Sequence, residues 1–169
     1  AARAAFETAP WVRRAVVQRE FPNRLKVVLL EHKAVAYWGA EGDSRLVNTV
    51  GEVFEANPGD VETEELPVLN GPKGQAPQVL EAYHALAPLF EEMDTVLEQL
   101  QLREQGSWRA QLDSGAVIEL GHGSLTEVEA RTRRFIDTVT QVSSRFGRDV
   151  ESADLRYTSG YALKLRGVT

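Results

Sequence analysis

Apolar and polar residues alternate most clearly at the end of the chain. From Ser152 to Arg166, Ala153, Leu155 and Tyr157 alternate with Asp154 and Arg156. Thr158-Ser159-Gly160 supplies a turn, and Tyr161, Leu163 and Leu165 then alternate with Ala162, Lys164 and Arg166. Period two on both sides of a short glycine-containing loop predicts a β-hairpin with one buried face. With no further strand behind it, the second arm is expected to leave a row of unpaired N–H and C=O groups. Such an edge is either protected or used to bind another chain. The expectation here is that it is used. A second alternation pairs Trp108, Ala110 and Leu112 with Ala116, Ile118 and Leu120 across Asp113-Ser114-Gly115, and predicts another hairpin.

Helical spacing appears twice. Val79, Tyr83, Leu86 and Phe90, widened by Leu80 and Ala87, form an apolar stripe that opens near Pro77, a residue suited to the first helical turn. Pro88 inside this stripe predicts a kink or an early end. Ser124-Leu125-Thr126-Glu127 reads as a capping box. The helix behind it carries Leu125, Val128, Thr132, Phe135, Val139, Val142 and Phe146 on one face, expected to lie on a sheet for its full length, with Gly147 as the C′ residue.

The first half is less regular. Ala1 to Ala9 is alanine-rich and helical in propensity, and Pro10 stops it. Arg14–Glu20 and Leu25–His32 read as strands around a Phe21-Pro22-Asn23-Arg24 turn. The nearly continuous apolar run of Leu25–His32 predicts a strand buried on both faces. Lys33–Tyr37 continues extended, Arg45–Val50 and Glu52–Ala56 form a weaker hairpin, and Asn57-Pro58-Gly59-Asp60 is a loop. Leu66–Leu69 and Val96–Arg103 are further short extended pieces. The sum is an α+β chain, with two amphipathic helices on a mixed, mostly antiparallel sheet.

Composition changes this picture little. A net charge of −6 argues against a nucleic-acid binder. Cysteine is absent, which excludes disulfides and thiolate metal sites. His32, His84 and His122 stand far apart with no paired metal spacing, so each is expected to be a surface or partly buried histidine. Gly121-His122-Gly123 matches no phosphate-loop pattern and reads as a strand-to-helix turn. Glu62, Glu64 and Glu65 form an acidic run expected to be a solvated face. No catalytic, metal or cofactor site is expected. Trp11, Trp38 and Trp108 are expected in cores, and Tyr157 and Tyr161, beside the last turn, are candidate anchors for a partner. No apolar run approaches membrane-span length, and the alanine-rich start without methionine reads as the middle of a helix, in a fragment cut from a longer protein.

Several blocks resemble one family. Pro10 to Val17, Arg19 to Val27, Glu31-His32, Ala36-Tyr37-Trp38, Leu66 to Pro72, Ser107-Trp108, Leu120 to Gly123 and Asp154 to Gly160 are similar, in order, to the bacterial FtsQ/DivIB cell-division family. The resemblance implies a single-pass inner-membrane protein whose periplasmic part is a POTRA domain followed by a β domain. Residues 1–33 would be the end of a truncated POTRA domain and 34–169 the β domain. It implies a non-enzymatic divisome scaffold that binds FtsB, with FtsL, by strand addition, and meets other divisome proteins through the POTRA part. The implied partner surface is Arg156, Tyr157, Ser159 and Gly160, with Tyr161, Ala162, Leu163, Lys164 and Leu165 offering their backbone. Gly106 and Leu165 stand where some members carry a basic residue and a tryptophan. Two rival classes are a POTRA-bearing transport or outer-membrane assembly module, which calls for tandem POTRA units and long barrel strands that the sequence does not show, and a periplasmic cell-wall enzyme, which calls for a deep polar pocket.

Overall fold

The computed structural model describes residues 2–39, 43–57, 59 and 65–167. Glu62 and Glu64 of the acidic run lie outside the described residues; Glu65 is exposed. The chain divides into two compact units, residues 1–66 and 67–169.

In the first unit, α1 (Ala2–Glu7) ends before Pro10 and packs on β1 (Val12–Glu20). β1 pairs antiparallel with β2 (Arg24–Glu31) to make a two-stranded ribbon. Strands β3 (Ala34–Trp38), β4 (Arg45–Asn48) and β5 (Val53–Glu55) follow in antiparallel sequence. Leu46, Phe54 and Ala56 form a small core, with Trp11, Ala34 and Tyr37 packed against it. The expectation of a doubly buried β2 fails. Leu25 is 65% exposed, and Val28, Leu29 and Leu30 are exposed as well. The apolar run is long enough for a core strand, but among the described residues no element covers β2, and α1 lies on β1. Burial needs a neighbour as well as a sequence, so the run alone could not decide it.

Among the described residues the second unit has six strands: β6 (Val68–Asn70), β7 (Leu97–Leu102), β8 (Trp108–Leu112), β9 (Val117–Gly121), β10 (Val150–Asp154) and β11 (Ala162–Leu165). Their order is β11-β10-β9-β8-β7-β6. The β7–β8–β9 meander is antiparallel, as the alternation predicted. Two connections are parallel: β6 to β7 through α2 (Ala76–Glu91), and β9 to β10 through α3 (Leu125–Phe146). A parallel pair needs a crossover, and each amphipathic helix supplies one. Pro88 does not end α2, which runs three residues further.

The helices pack on each other and on β6, β7 and β9. Between them and the sheet lie Leu86, Phe90, Leu100, Ile118, Leu120, Phe135 and Leu155, all at most 1% exposed. The capping box of α3 is formed as expected: Ser124 Oγ accepts from the Glu127 N–H, and Glu127 accepts from the Ser124 N–H at 2.7 Å. Gly147 closes the helix with φ 60°. The stripe is buried through Val139 but not to the end, because Phe146 is 60% exposed. Trp38 and Trp108 are core residues, and Trp11 is half-buried against Phe54.

Candidate functional site

The terminal ribbon differs from its sequence pattern in where it turns. β10 and β11 pair as Asp154↔Ala162, Ala153↔Leu163 and Ser152↔Lys164. The connection is therefore Leu155 to Tyr161, and the three-residue loop expected at Thr158-Ser159-Gly160 is only its centre. The reason lies in Asp154. Its carboxylate accepts from the Arg156 N–H at 3.0 Å and from the Arg156 guanidinium at 2.8 and 2.6 Å. This local bond takes the backbone out of the ladder after one more link, in which the Leu155 N–H donates to Glu119 O at 2.9 Å. Tyr157 consequently lies in the loop and not on a strand, and is 57% exposed.

Hydrogen-bond parity shows which main-chain groups remain free. Leu155 points its N–H at β9, so by strand alternation Ala153 does too, while Ser152 and Asp154 face β11. Their partners Ala162 and Lys164 must face back, consistent with the Arg166 N–H donating to Asp149 O at 2.8 Å. Leu163 and Leu165 therefore direct their N–H and C=O away from β10. β11 ends the strand order, and among the described residues it has no second neighbour.

Side chains obey the other alternation. Leu165 is buried and Leu163 half-buried on the helix side, while Ala162 and Lys164 are exposed on the open side. Lys164 pairs with Glu151 at 3.3 Å. On that open face a shallow depression of about 470 Å³ is lined by Arg109, Glu119, Ser152, Asp154, Ala162 and Lys164. Its charges are mutually compensated: Glu119 lies 3.2 Å from Arg103 and 3.6 Å from Arg109.

The two tyrosines are not equivalent. The Tyr161 ring packs edge-on against Phe135 of α3, centroids 5.0 Å apart, and its hydroxyl shares a 2.6 Å hydrogen bond with Thr138 Oγ1. It anchors the start of β11 to the helix. Tyr157 has an outward ring. Arg156 is exposed but not idle. Its salt bridge holds the Asp154 carboxyl below the usual carboxylate range and raises its own proton affinity. Of its five donors, two are taken by Asp154 and three remain. Ser159 is exposed, and nothing lies within 4 Å of the Cβ position of Gly160.

Gly121 belongs to the same site. Its φ is +81°, and a Cβ there would meet Arg131 Nη1 at 2.5 Å and Arg156 Cγ at 3.1 Å. The glycine lets the Arg156 stem cross the end of β9. The roles of Thr138, Asp154 and Gly121 were not foreseen from the sequence. Only Asp154–Arg156 carried a signal, because residues two apart on a strand share a face. Among the described residues no group of three or more His, Asp or Glu is placed to hold a metal ion, and no helix is long and apolar enough to cross a membrane.

Residues 36–156 match the family described as cell division protein FtsQ/DivIB, C-terminal, and residues 1–32 match the POTRA domain, FtsQ-type. The cell division protein FtsQ of Thiomonas arsenitoxydans is 40% identical over 99% of this chain and 62% of its own length. That of Burkholderia pseudomallei is 38% identical over 99% and 66%. The Shewanella oneidensis protein of the same name is 38% identical over 94% and 58%. The chain thus spans somewhat under two thirds of the length of these relatives.

Proposed function

The chain belongs to the FtsQ/DivIB family of cell-division proteins, and from that premise we propose that it is a non-enzymatic divisome scaffold. It binds FtsB, in complex with FtsL, by accepting a strand on β11. Residues 1–33 serve as the end of a POTRA domain that meets other divisome proteins, and residues 34–169 as the β domain. The fragment works in the periplasm at the division site, joined to the inner membrane by an anchor outside it.

One observation carries the reading: the outward main-chain groups of Leu163 and Leu165 on a strand that, among the described residues, ends its sheet. Strand addition draws affinity from such groups and specificity from flanking side chains. Tyr157 supplies an exposed aromatic anchor beside the edge. Arg156 supplies its three remaining donors, and Ser159-Gly160 allows close backbone approach. Tyr161 contributes backbone only, since its side chain is engaged by α3.

The test uses a periplasmic FtsB segment and two variants whose fold is followed by far-UV CD. Leu163→Pro removes an outward donor without breaking a β10 bond. It is expected to abolish binding with the spectrum retained. Tyr157→Ala is expected to weaken binding by about tenfold, a typical loss for an aromatic anchor. Unchanged affinity in both would reject the assignment.

A further inference from the structure

Away from the β11 edge, one histidine is built into a hydrogen-bond arrangement that tolerates a single protonation state. Asn48, at the end of β4, is 1% exposed. Its Oδ1 accepts from two backbone donors, the Val50 N–H at 3.1 Å and the Glu52 N–H at 2.8 Å. That fixes the amide orientation, because the reversed amide would face two N–H groups with its own. Nδ2 therefore points the other way. It donates to Glu52 Oε1 at 3.2 Å and lies 2.9 Å from His32 Nδ1. Every hydrogen-bonding group of Asn48 is used, and His32 Nδ1 must be the acceptor.

The rest of the imidazole is equally placed. The ring stacks on Phe54, centroids 4.2 Å apart and 5° from parallel. The His32 N–H donates to Trp11 O at 2.7 Å, and the Trp11 ring packs edge-on against Phe54, centroids 5.3 Å apart. His32 and Trp11 thus join the open end of the β1–β2 ribbon to β4 and β5, beside the Arg13–Glu52 ion pair from β1 to the β4–β5 turn. The charged groups facing the ring are Glu52, from the β4–β5 turn, and Arg13, from β1. They form an ion pair with each other and act on the imidazole in opposite directions, Glu52 raising and Arg13 lowering its proton affinity.

We propose that His32 and Asn48 form a proton-sensitive latch, holding the β1–β2 ribbon to the β3–β5 strands only while the imidazole is neutral. A proton on Nδ1 would set an N–H against the Asn48 amide hydrogens. The amide has no alternative orientation without giving up the Val50 and Glu52 bonds. Protonation therefore releases the turn that Asn48 organises along with the grip on the ribbon. Burial already holds the His32 proton affinity below the ordinary value of 6.5, as such a latch requires. His32 closes the span that matches the POTRA domain and Asn48 lies in the span that matches the C-terminal family, so the latch acts where the two meet in sequence.

The experiment is NMR titration of the full 169-residue chain from pH 8 to pH 5, with amide exchange followed at Val50, Glu52 and His32. The His32 ring is expected to titrate below 6.5 as the Nε2–H tautomer. Protection of the three amides should fall about tenfold as it does so. Two variants separate the latch from general acid sensitivity. In His32→Gln a neutral acceptor replaces the imidazole, and the pH dependence of protection should vanish. In Asn48→Asp a carboxylate replaces the amide, and the ring should titrate above 6.5. Titration of the wild-type ring at or above 6.5, or loss of protection in His32→Gln with the same pH profile, would overturn the proposal.

Discussion

Asp154 and Arg156 show how much one pair of side chains can decide. Two apart on the same face, they close a bidentate ion pair that ends β10 and turns the chain into the loop. Both side chains reach solvent, so the pair adds little to stability. Its consequence is geometric. Asp154→Asn should leave the melting temperature within a few degrees of wild type, yet increase the mobility of residues 155–161 in NMR relaxation. Gly121 is less tolerant. Gly121→Ala puts a side chain at a φ of +81°, and should destabilise the chain by about 1–3 kcal/mol in urea unfolding.

α3 is the element on which the second unit depends. Its N-terminus carries a complete capping box, so Ser124→Ala should cost about 1 kcal/mol of stability in chemical denaturation. Phe135 is fully buried and also supports Tyr161. Phe135→Ala should cost about 3–5 kcal/mol and loosen β11 at the same time. Tyr161→Phe keeps the ring contact and loses only the Thr138 bond, a loss of about 1 kcal/mol. β11 itself separates two proline variants. Ala162 faces β10, so Ala162→Pro should break the ladder and disturb the CD spectrum, whereas Leu163→Pro should not.

At the scale of the molecule, protection and acid response follow the distribution of cover. The β1–β2 ribbon is exposed over most of β2, while β7 and β9 lie under helices. Hydrogen–deuterium exchange should be faster in the ribbon by at least about tenfold. Acid should act in two stages. His32 has a lowered folded pKa, so the unfolded chain takes up its proton first and stability declines as pH falls below 6.5. Asp154 and Glu52 are also lowered, chiefly by hydrogen bonds from Arg156 and Arg13. Their contribution is full above ordinary carboxylate values and is lost as pH falls below about 4. A plot of melting temperature against pH should show both declines, and His32→Gln should remove only the first.

Local rules settled much of this protein without coordinates. Ser124, Glu127 and Gly147 bound α3 through bonds within a single turn, the Trp108–Leu120 alternation sets a hairpin through a tight turn, and the ordered blocks identify the family. The phase of β11 was also legible, since Leu163 and Leu165 could only turn inward together. What the sequence could not decide involves partners distant along the chain. β2 has the composition of a core strand and lies exposed, because cover comes from other elements. Tyr157 and Tyr161 look alike in sequence, yet only one meets Phe135. His32 reads as an isolated histidine until folding brings Asn48, sixteen residues on, against its ring. Propensity and periodicity act over a few residues, but burial and side-chain hydrogen bonding depend on which surfaces the tertiary fold brings together.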